Sequence, residues 1–358
     1  MTLLLKNRTS MPDPLSLPRD AAEAKSGATL RSPPDQDPLR DRFFLPPALT
    51  GTQSTLRSRV AGRLCWYTDG PEPTPDTPPL LLIHSISAAS TAYDMRPLYD
   101  HYRQHRRVYA LELPGFGFSE RGERRYTPRL MTDAIHAFLV QIRREYKRAQ
   151  PDVIALSLSC EFVARAAMEN STAFRSLAFV SPTGFEHREL RQGPPGSTRG
   201  HAWLLSALLR PSIGRRLYQL LTQRRVIHYF LSRTWGTARV DELLVEYDRW
   251  TSRAPGAEFA PLHLLAGCLF SNDSGRLYRS LNQPVWMSHA TRGAFADVPG
   301  LAALSDRPNW CIEALPAGAM PHFEIPRTFI ERYDAWASSL TRHSWINLMD
   351  SYAQEQPA

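Results

Sequence analysis

The stretch Val153-Ile154-Ala155-Leu156-Ser157-Leu158-Ser159-Cys160-Glu161-Phe162-Val163-Ala164 decides how this chain is read. Its first residues read as a buried strand, and after a break small and apolar residues resume at helical spacing. A sharp strand-to-helix bend holds one side chain clear of the backbone, at the positive end of the helix that follows. The reading places Ser159 at that bend. A serine hydroxyl attacks only when a base removes its proton and backbone N–H groups meet the developing oxyanion. A base, an orienting acid and an oxyanion loop are therefore expected elsewhere. Cys160 is set aside as nucleophile because its side chain turns away from the bend.

The base is read at His322, within Pro321-His322-Phe323-Glu324-Ile325-Pro326. This segment follows a strand-like run, Trp310 to Leu315, and precedes an amphipathic stretch, Arg327 to Leu340. A histidine far downstream of the serine fits the chain order serine, acid, histidine.

At this point the chain resembles the α/β-hydrolase family, over roughly residues 54–345. Leu80-Leu81-Leu82-Ile83-His84-Ser85 is similar to the family's third strand and its His-Gly oxyanion loop. Glu112-Leu113-Pro114-Gly115-Phe116-Gly117-Phe118-Ser119 is similar to its Asp-x-Pro-Gly-x-Gly-x-Ser turn, and Pro284 to His289 to its seventh strand. The resemblance implies a mostly parallel α/β-hydrolase sheet covered by helices on both faces, with an all-helical cap inserted after strand six. It implies Ser159 as nucleophile, His322 as base, and an oxyanion hole from the N–H groups of Cys160 and Ile86. Serine at the bend argues against the branches that attack with a carboxylate.

Three positions depart from the family pattern. The acid's register after strand seven falls on Gly293, which has no carboxylate; Asp297 preserves the chain order, and Glu186 after strand six is the alternative acid. Ser85 stands where the oxyanion loop usually has glycine. Glu161 stands where a small residue is expected, so either the helix is displaced or the glutamate points outward in its first turn. The expected activity is cleavage of an ester-like or related acyl bond of a small, hydrophobic substrate through an acyl-enzyme. Acyl transfer, C–C hydrolysis and a non-catalytic binding protein on the same fold are the alternatives.

Read by period, residues 51–185 and 281–345 form the core, 186–280 the helical cap, and 1–50 and 346–358 proline-rich or polar tails. Pro71 to Pro79 reads as a hairpin loop. Trp203, Tyr229, Phe230, Trp235 and Tyr247 are the cap aromatics from which pocket lining is expected.

Composition narrows the function further. No apolar run approaches the ~18–20 residues that span a bilayer, and Leu3-Leu4-Leu5 is too short for a signal-peptide core, so a cytoplasmic protein is expected. Cys65, Cys160, Cys268 and Cys311 have neither metal-ligand spacing nor disulfide density. No phosphate-cradling Gly-x-Gly-x-x-Gly follows a strand, and no cofactor or metal is implied. The net charge is +8, yet only three of the 43 basic residues are lysines. Fourteen arginines against seven acids lie between His187 and Ser280. This points to a weak contact between the cap and an anionic membrane surface, with no nucleic-acid partner expected.

Overall fold

The computed structural model describes residues 44–74, 77–147 and 149–340. The expected C-terminal tail, and all of the expected N-terminal tail except residues 44–50, lie outside them. Within residues 44–50, three side chains pack into the core. Leu45, Ala48 and Leu49 are buried, the Ala48 N–H donates to the Tyr67 hydroxyl at 3.0 Å, and the Tyr99 hydroxyl donates to the Thr50 carbonyl at 2.9 Å.

Eight strands form one sheet in the order β1-β2-β4-β3-β5-β6-β7-β8. β1 (Thr52–Ser58) and β2 (Gly62–Asp69) are antiparallel, as is the β2–β4 pair. β3 (Leu80–Ile83), β4 (Val108–Glu112), β5 (Asp152–Leu156), β6 (Ser176–Val180), β7 (Val285–Ala290) and β8 (Trp310–Leu315) run parallel. Every residue of β3 to β6 is buried, as continuous apolar runs require when helices cover both faces. The segment Pro71 to Pro79 is not a hairpin loop. β2 and β3 are not neighbours in the sheet; they flank β4 on opposite sides.

Helices α1 (Arg96–Tyr102), α2 (Pro128–Glu145) and α3 (Ser159–Glu169) follow β3, β4 and β5 in turn. Thr127 caps α2 by accepting from the Leu130 N–H at 3.2 Å, with proline in the first turn where no N–H is missed. Six helices lie between β6 and β7: α4 (Ala202–Leu208), α5 (Pro211–Leu221), α6 (Arg224–Trp235), α7 (Glu242–Thr251), α8 (Phe259–Leu265) and α9 (Ser274–Arg279). α5 and α6 are separated by a break at Thr222-Gln223, where the Thr222 hydroxyl bonds back to the Tyr218 carbonyl. The short α10 (Pro321–Glu324) and α11 (Pro326–Ser339) close the chain. Phe138 of α2 and Phe162 of α3 fill one face of the sheet; Leu98 of α1 with Phe329 and Tyr333 of α11 fill the other.

Candidate active site

The bend predicted at Ser159 falls two residues earlier. β5 ends at Leu156 and α3 starts at Ser159, so the turn itself is Ser157-Leu158. Ser157 has φ 57°, in the left-handed region that costs an L-residue about 1–2 kcal/mol. Every residue from 151 to 167 is buried except Ser157. No described residue hydrogen-bonds its Oγ. Ser159, by contrast, is fully buried, and its Oγ donates to the His84 carbonyl at 2.6 Å. That bond ties the start of α3 to the residue that follows β3.

The oxyanion donors shift with the bend. The Cys160 N–H is already spent on the Ser157 carbonyl at 3.1 Å. The N–H groups of Leu158 and Ile86 have no acceptor among the described residues. Burial pushes the Cys160 thiol well above its ordinary range, which keeps it inert. In this register the small residues flanking the turn are Ala155 and Ser159, so Glu161 is free of that constraint. Nor does Glu161 point outward. It is buried, accepts from the Thr183 hydroxyl at 2.5 Å and the Ser271 N–H at 2.7 Å, and so fastens α3 to the ends of the helical insertion.

A second serine beside the turn is also left-handed: Ser181, at the end of β6, has φ 46°. The Ser157 N–H donates to the Val180 carbonyl at 2.9 Å, and the Ser181 N–H to the Ser288 carbonyl at 2.8 Å. The Oγ atoms of Ser181 and Ser288 are buried without a protein partner. Three sheet-end serines thus lie side by side, with one hydroxyl partly exposed.

The oxyanion loop is held by polar bonds instead of the usual glycine. His84 is buried; its Nε2 accepts from the Leu113 N–H at 3.0 Å, so its Nδ1–H donates to the Ser85 carbonyl at 2.6 Å. Burial lowers its pKa to about 4, consistent with a neutral ring. Ser85 Oγ donates to Asp94 Oδ2 and touches Ser90 Oγ, each at 2.7 Å; Ser90 Oγ donates to Ser87 Oγ at 2.7 Å. Burial raises the Asp94 carboxyl. Burial and the nearby Asp94 charge raise Asp248 on α7 well above the carboxylate range. Beside this acidic pair the rings of Tyr93 and Tyr247 stack 4.7 Å apart.

His322 is fully buried, and its Nε2 lies 2.7 Å from the Asp94 carbonyl. A carbonyl only accepts, so the proton sits on Nε2 and the lone pair on Nδ1. Nδ1 has no partner. Burial lowers this ring's pKa to about 4, so it is neutral near pH 7. Neither expected acid reaches it. Asp297 is exposed on the loop after β7 and makes no hydrogen bond. Glu186 accepts from the Gly184 N–H at 3.1 Å and lies 3.7 Å from Arg199 Nη2.

The acid's register is occupied by a helix end. A helix leaves its last carbonyls unpaired, and those of α6 are met by the loops that should carry acid and base. Ala294 N–H donates to the Arg233 carbonyl at 2.9 Å, Ala319 N–H to Thr234 at 3.0 Å, and Arg292 Nε to Trp235 at 3.2 Å. Gly293, with φ 87°, presses so close that a Cβ would lie 2.8 Å from the Thr234 carbonyl oxygen. Of the five cap aromatics, Trp235 and Tyr247 are buried, whereas Trp203, Tyr229 and Phe230 face outward. Among the described residues no group of three or more His, Cys, Asp or Glu could hold a metal ion, and no helix is long and apolar enough to cross a membrane.

Residues 78–292 match the family described as alpha/beta hydrolase fold. Among solved structures, a serine hydrolase involved in carbazole degradation superposes with a TM-score of 0.60 at 13% identity, over 81% of this chain and 99% of that one. A thermophilic esterase from Thermogutta terrifontis gives 0.60 at 16% identity, over 81% and 99%. An enol-lactonase from Burkholderia xenovorans LB400 gives 0.58 at 14% identity, over 80% and 100%. No curated protein matches the sequence.

Proposed function

Because the chain belongs to the alpha/beta hydrolase fold family, we propose that it is a serine hydrolase of ester-like or related acyl bonds, with Ser157 as nucleophile. One observation carries this reading: the left-handed residue between β5 and α3 is a serine, and it alone of its run is partly exposed. Its Oγ attacks the acyl carbon, and the oxyanion is met by the free N–H groups of Leu158 and Ile86. The leaving alcohol departs with a proton, and water then releases the acid from the acyl-enzyme.

His322 is the base in this reading. Burial keeps its ring unprotonated, so a lone pair is available at neutral pH. With Nε2–H held by the Asp94 carbonyl, that lone pair is at Nδ1, which is the atom that accepts the Ser157 proton in this reading. Among the described residues no carboxylate orients the imidazole, a loss worth about 10⁴ in rate where it has been engineered, so turnover is slow. The substrate is small and hydrophobic, and four unpaired cysteines support a cytoplasmic location. The test is hydrolysis of short p-nitrophenyl esters by Ser157→Ala and Ser159→Ala. Loss in the first variant with retention in the second supports the reading; the reverse pattern rejects it.

The partnerless Nδ1 of His322 and the α6 end lodged against Gly293 favour a second reading, a binding protein that keeps the fold without turnover. A fluorophosphonate probe that leaves the folded wild-type protein unlabelled selects it.

A further inference from the structure

Residues 190–240 contain nine arginines and no aspartate or glutamate, against a net charge of +8 for the whole chain. Arg224 is paired, with Glu242 and Glu246 of α7 at 2.6 Å each. Arg210, Arg215, Arg216, Arg225, Arg233 and Arg239 are exposed, and none has an acidic partner among the described residues.

Large apolar side chains stand among these cations. Trp203 is 72% exposed, Tyr229 57%, Leu220 56% and Phe230 52%. Helical spacing explains the grouping. On α5, Ile213, Arg216 and Leu220 follow at i, i+3 and i+7, while Gly214 and Tyr218 are buried and the Tyr218 hydroxyl anchors to the Ala88 carbonyl at 3.0 Å. On α6, Arg225, Tyr229 and Arg233 follow at i, i+4 and i+8, while Ile227 and Trp235 are buried. On α4, Trp203 is exposed and Leu208 buried, and Arg210 follows in the link to α5. α5 and α6 therefore each spend one face on packing and offer apolar groups and guanidinium groups on the other, and α4 adds the exposed Trp203.

We propose that α4, α5 and α6 dock this protein on an anionic phospholipid bilayer, with guanidinium groups on lipid phosphates and Trp203, Tyr229 and Phe230 at the acyl boundary. Charge complementarity selects the partner. A nucleic acid is matched by cations alone and leaves exposed aliphatic groups such as Ile213 and Leu220 unexplained. A bilayer interface rewards both groups at once. Contact with the surface removes from water the apolar area that folding left exposed.

The experiment is flotation of the full chain with vesicles containing phosphatidylglycerol or with pure phosphatidylcholine, at low and high salt. Binding to the anionic vesicles that weakens with salt is expected, with a blue shift of tryptophan emission. Each arginine near an anionic surface contributes roughly a fivefold factor to partitioning. Arg215→Glu, Arg216→Glu and Arg225→Glu combined should therefore lower it by about a hundredfold or more. Trp203→Ser with Phe230→Ser should remove the blue shift. These positions are exposed and unpaired, so thermal unfolding should stay unchanged. Equal binding to both vesicle types, no flotation, or retention on duplex DNA without flotation overturns the proposal. Fluorophosphonate labelling of Ser157 reads the hydrolytic site independently of all these outcomes.

Discussion

At the end of β5 the chain holds Ser157 in a left-handed turn, partly exposed, with the Leu158 N–H beside it free. At the ends of β7 and β8, where the proposed proton relay lies, Gly293 holds the position expected of the acid and His322 bonds a backbone carbonyl. The two regions differ in how they are encoded. The first is a local object: a strand, a two-residue turn and a helix within about fifteen consecutive residues. The second needs three segments far apart in sequence to converge, and here the C-terminus of α6 fills the convergence point. A sheet can lose its relay to such an intrusion while keeping its elbow, because the sheet's own hydrogen bonds are untouched.

Breaking the first region should have the largest effect. Ser157→Ala is expected to lower p-nitrophenyl ester hydrolysis by about 10³–10⁴ or to background, since only the oxyanion donors and binding remain. His322→Gln tests the second region; a fall of roughly 10²–10⁴ is expected if the imidazole takes the proton. Unchanged kcat would make His322 a packing residue. Restoring the family's acid should fail. Gly293→Asp puts a side chain against the Thr234 carbonyl at positive φ, so about 2–3 kcal/mol of stability is lost in urea unfolding, with no gain in rate. A gain would show that the α6 end can move aside.

A smaller, pH-dependent effect sharpens the contrast. Glu112, the last residue of β4, is buried, and burial raises its pKa to about 7. Its unfolded value is near 4.3. Between those values the folded state holds more protons, so its contribution to stability falls as pH rises from about 4.3 to 7. His84 and His322 act oppositely: depressed to about 4 by burial, they stabilise above pH ~6.5, and that stability is lost as pH falls toward 4. The histidines are common to wild type and Glu112→Gln, so their effect cancels in the difference. The variant should match wild type at pH 4 and be the more stable of the two at pH 8. A constant difference across that range would contradict the raised carboxyl.

Most of the fold was legible because it is written in period. The apolar runs at Leu80, Val108, Val153 and Ser176, and the Thr127-Pro128 start of α2, sit where pattern and capping chemistry place them. Residues 44–50 were not, since their anchoring depends on the distant hydroxyls of Tyr67 and Tyr99. The elbow was misread by two residues because Ser157-Leu158-Ser159 offers two small hydroxyl residues in one turn. The signal that separates them was present: Ala155 and Ser159 flank Ser157 with small side chains, whereas Glu161 gives Ser159 a bulky neighbour. Nothing in the sequence marks Asp94, Asp248 or the Ser181 turn, because their pairing exists only once the helical insertion meets the sheet.

The tightest test is tandem mass spectrometry of the wild-type protein after a fluorophosphonate probe, with fragmentation fine enough to separate the two neighbouring hydroxyls. The account predicts the adduct on Ser157. An adduct on Ser159, or none on the folded protein at high probe concentration, contradicts it.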